Sequence, residues 1–267
     1  MSGLVKTLAI PVRFAEKIPG IGWLIRGLST SIGQKLVMAV TGLLLCGFLV
    51  AHLAGNLLLF VGMEKYNSYA HALHDNEGLL LIAELGLVAL FFTHIALAIS
   101  TSSMNREARK RDYAEKETKQ GMTVLPGGGA SSYMFATGAV VLGFVLLHLA
   151  DFTFRLSHGA DFYAQFDGNE FAKAKALLSN PISALVYVVG CVALGVHLVH
   201  GFQSALMTLG FGHPKYKTAI RAVSVAFGWA ISLGFISFVL WSFGAKDPVP
   251  STDRPESAQT EPVAEKH

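Results

Sequence analysis

Five long apolar runs, at about 33–62, 78–103, 131–157, 181–209 and 218–244, alternate with polar stretches along a chain of 267 residues. Each is long enough to cross a hydrocarbon core of about 30 Å at roughly 1.5 Å per residue. Lipid offers no partner to an open backbone, so every run must be a helix. The pattern predicts an all-α membrane protein whose five transmembrane helices form a bundle. Hydrophobic residues make up 52% of the chain and charged residues 15%, which excludes an ordinary soluble domain of this length.

The connections differ in character. Residues 104–130 are polar and charged and end in "PGGG", which reads as a loop with a flexible exit. Residues 158–180 contain "NEFAKAKALLSNP", where Phe171, Ala174, Leu177 and Leu178 recur at helical spacing and predict a short surface helix ending before Pro181. Residues 1–30 mix Lys6, Arg13, Lys17 and Arg26 with short apolar pieces broken at Pro11 and Pro19. They read as a segment along the membrane surface, with no cleavable leader expected. The tail 246–267 is rich in proline and charge and reads as disordered, which leaves 31–245 as the membrane domain. No internal repeat is apparent.

Charge changes the picture by its distribution more than by its net value of +3. Lys6, Arg13, Lys17, Arg26 and Lys35 lie before or at the start of the first span. Arg106, Arg109, Lys110, Arg111, Lys116 and Lys119 lie between the second and third, and Lys215, Lys217 and Arg221 between the fourth and fifth. The opposite connections hold only Lys65, Arg155, Lys173 and Lys175. The positive-inside rule then predicts a cytoplasmic N-terminus and an external C-terminus. These basic groups are interleaved with Glu107, Asp112, Glu115 and Glu117, which argues against nucleic-acid binding. Cys46 and Cys191 both fall within spans and read as buried thiols, and without a C-x-x-C-H any haem would be held without thioether bonds.

Five of the ten histidines, His52, His94, His148, His197 and His200, fall within the apolar runs. A polar side chain at that depth is costly and needs a partner. A lone histidine would pack against a carbonyl; a set of them at matched depths suggests haem iron, which takes one imidazole from each of two facing helices. His52 and His148 each lie roughly 12–14 Å inside the outer boundary, and His94 and His200 roughly 9–12 Å inside the inner one. This arrangement would stack two b-type haems across the bilayer. Gly55, Gly143 and Gly201 beside these histidines would let a flat macrocycle approach. His197, one turn from His200, reads as a hydrogen-bonding neighbour or an alternate ligand.

The stretches "GQKLVMAVTGLLLCGFLVAHLAGN", "YNSYAHAL" and "HGFQSALMTLGFGHPKY" together resemble the single-chain, five-helix cytochrome b membrane subunit of the succinate:quinone oxidoreductases, the succinate dehydrogenase and fumarate reductase family. The likeness runs from about Ser31 to Trp241. It implies a di-haem anchor of the respiratory chain and tricarboxylic acid cycle in a bacterial cytoplasmic membrane. Such an anchor carries electrons between a cytoplasmic flavoprotein and iron–sulfur subunit pair and a membrane quinone, often menaquinone. FAD and the iron–sulfur clusters belong to those partners. Carried onto this chain, the ligands are His52 and His148 for the outer haem and His94 and His200 for the inner one, because the family's ligand there is the histidine followed by glycine. Gln203 departs from the aromatic residue that many relatives carry.

Succinate oxidation itself is excluded from this chain, which has no dinucleotide fingerprint and no cysteine set for an iron–sulfur cluster. A quinone needs an apolar slot and a group that exchanges protons, and Glu64, Tyr66, His71 and Glu84 near the outer end are the candidates. Lys35 and Arg106 could neutralise the inner haem's propionates. Two other readings remain open: the cytochrome b anchor of a different quinone-linked dehydrogenase, and a haem-free transporter whose histidines relay protons.

Overall fold

A computed structural model describes residues 22–108 and 130–245, with backbone alone for 22–25, 105–108 and 130–132. Most of the expected N-terminal surface segment, the polar connection 109–129 and the tail 246–267 therefore lie outside the described residues. Five helices are long and apolar enough to cross a membrane: Ser31–Val61, Glu77–Met104, Tyr133–Phe152, Pro181–Phe211 and Pro214–Gly244. The protein is an all-α membrane bundle, and among the described residues the regular structure is entirely helical. Large apolar side chains cover the outside, including Leu44, Leu81, Ile82, Leu146, Ile182 and Leu240, as expected where lipid rather than water is the solvent.

Local chemistry sets the helix ends. Thr30 caps the first span by accepting from the Gly33 N–H at 3.0 Å. Asn180 caps the fourth by accepting from Ile182 and Ser183 at 3.0 and 3.2 Å, with Pro181 following where its missing N–H costs nothing. Gly62 takes φ 131, a conformation that only glycine adopts freely, and turns the first span into a surface helix, Met63–His74. The third span stops at Phe152, short of the hydropathy run's end at 157. There the Leu149 carbonyl accepts from both Thr153 and Phe154, and Arg155 enters the left-handed region at φ 53.

The expected helix before Pro181 is present at Glu170–Ser179. It buries Phe171, Leu177 and Leu178 and closes one end of the bundle, where Phe171 and Leu178 join Leu59, Tyr187 and Phe238 in one core cluster. Glu170 pairs with the buried Lys173 and, at 3.6 Å, with Arg155. The fourth span is the hub, packing on the fifth most extensively and also on the third and first, while the second packs mainly on the first. Glycines let the fourth and fifth backbones touch. A Cβ on Gly228 would come within 2.9 Å of the Gly195 carbonyl, and Ser232 donates to the Cys191 carbonyl at 2.7 Å. Both cysteines are free and buried.

Candidate haem site

The contacts around the buried histidines expose a repeat that the sequence reading did not detect. The pattern M-x2-T-G-x4-G-F-x3-H-L-A occurs at 38–54 and again at 134–150. The first and third spans thus carry two copies of one element, in α-helices that each end four residues after the histidine, at Asn56 and Phe152. Hydropathy conceals this because most intervening positions are interchangeable aliphatic residues.

At the histidine end of the copies, His52 and His148 face each other with ring centroids 5.8 Å apart and planes at 82°. Two metal–imidazole bonds of about 2 Å each, with about 1 Å of ring on either side, span roughly 6 Å, so the spacing suits one iron between them. Phe48 and Phe144, four residues before each histidine, lie against their rings. Gly47 and Gly143 precede these aromatics, and a Cβ on either would meet no heavy atom within 4 Å, as the edge of a macrocycle requires. Behind His148, the Tyr187 hydroxyl stands 3.5 Å from Nδ1 and donates to Asp151 Oδ2 at 2.7 Å. Asp151 is buried, and it is an acid in an apolar run three residues after a histidine, a signal that the sequence reading passed over.

At the other end of each copy, the T-G pair receives a histidine from the next helix. His94 Nδ1 lies 3.3 Å from Thr41 Oγ1, and His197 Nδ1 lies 3.3 Å from Thr137 Oγ1. A Cβ on Gly42 would sit 3.2 Å from His94 Cε1, and one on Gly138 would sit 3.3 Å from His197 Cε1. The same five-residue clamp holds both rings. In this clamp it is His197 that matches His94. His200 stands one turn further along the same helix. The clamp threonines precede His52 and His148 by eleven residues in each copy, which separates the two levels by roughly 16 Å.

No group of three or more His, Cys, Asp or Glu side chains converges among the described residues. Paired imidazoles without further ligands suit a haem, whose macrocycle supplies the remaining donors.

Residues 116–238 match the model of the succinate dehydrogenase/fumarate reductase transmembrane subunit family. Over these residues, a little under half of its length, the chain is similar to that family. No curated protein and no solved structure matches the chain. The match takes in His148, His197 and His200, while His52 and His94 lie before it.

The other candidates from the sequence are scattered. Glu64 and His71 are exposed on the surface helix, and Glu84 is exposed on the second span. Tyr66 is half-buried, with its hydroxyl 3.4 Å from Asn56 Oδ1; burial and the nearby Glu170 carboxylate push its phenol up to about 12. Lys35 is exposed at the start of the first span, and the Arg106 side chain lies outside the described residues. At the same end as Lys35, Ser100 donates to Gln34 at 2.8 Å and ties the first two spans together.

Proposed function

We propose that the chain is the membrane anchor and electron-transfer subunit of a succinate:quinone oxidoreductase. It passes electrons between a flavoprotein and iron–sulfur pair, docked at the basic, cytoplasmic end, and a membrane quinone such as menaquinone. His52 and His148 hold the outer of two b-type haems. His94 and His197 hold the inner one, and His200, which the resemblance favoured as the ligand, becomes a neighbour one turn away. The observation that carries this reading is the pair of matched imidazole clusters at the two ends of one repeated motif.

Each bound haem supplies a reversible one-electron iron couple. The chain's part is to hold imidazole nitrogens at fixed separation and to keep water out with Phe48, Phe144, Phe152 and Phe235 around the outer pair. We assign quinone exchange to the outer half. Tyr66 stands at the end of the first span there, and Glu64, His71 and Glu84 are open to exchange protons. Lys35 and Arg106 are assigned to the inner haem's propionates.

A dithionite-minus-oxidised spectrum of the purified complex, with haem quantification and identification of copurifying subunits, tests the reading. Two low-spin b haems per chain, together with flavoprotein and iron–sulfur partners, are expected. A colourless protein would reject it in favour of a proton relay, and a stable haem-loaded complex with an unrelated dehydrogenase would reject the succinate assignment.

A further inference from the structure

The hydroxyls beside three of these imidazoles share one property: their own protons are already committed. Thr41 Oγ1 donates back along its helix to Val37 and Met38 carbonyls at 3.0 and 3.1 Å. Thr137 Oγ1 does the same to Tyr133 and Met134 at 2.9 and 3.2 Å. Tyr187 gives its proton to Asp151. A hydroxyl has one proton, so toward the facing Nδ1 each oxygen acts as acceptor. The Nδ1 atoms of His94, His197 and His148 must then carry their ring protons, which leaves the lone pair on Nε2.

We propose that Thr41, Thr137 and Tyr187 are positioning residues that lock these three histidines in the Nδ1–H tautomer and strengthen Nε2 as a donor to iron. The proposal rests on the haem reading above. An Nδ1–H held by an oxygen acceptor makes the opposite nitrogen more basic, which favours ferric over ferrous iron and lowers the haem potential. The T-G sequence serves this use twice over. The glycine removes the Cβ that would push the ring away, and the threonine offers an acceptor at the distance where the ring comes to rest.

The test is optical redox titration of the whole complex carrying Thr41→Val, Thr137→Val or Tyr187→Phe, with haem content measured alongside. Each threonine variant should raise the inner haem's potential and leave the outer one in place, and Tyr187→Phe should do the reverse. Thr41→Ser and Thr137→Ser should restore the native value. Unmoved potentials at full haem content would overturn the proposal. So would haem loss in the valine variants that serine does not repair, because that marks a packing role alone. The haem reading fails separately, by retention of both haems in His94→Ala and His197→Ala.

Discussion

His197 and His200 stand one helical turn apart on the same helix, and only their neighbours distinguish them. One ring reaches across to Thr137 on the third span, and the other stands one turn beyond that contact. Replacing His197 by Ala should remove the inner haem and leave the outer one, whereas His200→Ala should retain both with at most a shift in the inner spectrum. Haem counts on the two variants check this, and the opposite pattern would exchange the two assignments. The imidazoles themselves were legible in the sequence because histidine is conspicuous in an apolar run. Their oxygen partners were not, because threonine passes for an ordinary helix residue and an H-G dipeptide drew attention to the neighbouring ring. Asp151 was missed for a similar reason: an acid near a span's end resembles the start of a loop.

At the scale of elements, hydropathy located all five spans because lipid demands uniform apolarity over a fixed length. It misplaced the end of the third, where Arg155 and a doubly used carbonyl, not polarity, stop the helix. It also said nothing about which spans touch. The fourth and fifth meet backbone to backbone at a glycine crossing, where a Cβ on Gly228 would meet Val199 N and the Gly195 carbonyl, each at 2.9 Å. Backbone cannot yield as a flexible side chain does. Gly228→Ala should therefore destabilise the subunit by roughly 1–3 kcal/mol, read as a lower midpoint of thermal unfolding in detergent.

For the whole molecule, support is uneven. The fourth span is braced by three neighbours, but none of the most apolar window of the second or third span is buried within the chain. On the proposed reading, each bis-imidazole haem bridges a span that protein contacts alone hold loosely. Extracting haem should then raise amide hydrogen exchange in the second and third spans well before the fourth and fifth, with mass spectrometry resolving the segments. Equal protection in all five spans would show that the protein holds itself together without the cofactor.

The repeated motif has one more effect. Each copy carries, eleven residues apart, the clamp for one level and the ligand for the other, so its helix acts as a ruler whose two marks cannot be moved independently. One alanine inserted among the interchangeable residues 43–46 would turn His52 by about 100° relative to Thr41 while adding only about 1.5 Å of length. A change that hydropathy would scarcely register should thus cost both haem sites at once, and the same insertion at 139–142 should do so through the third span.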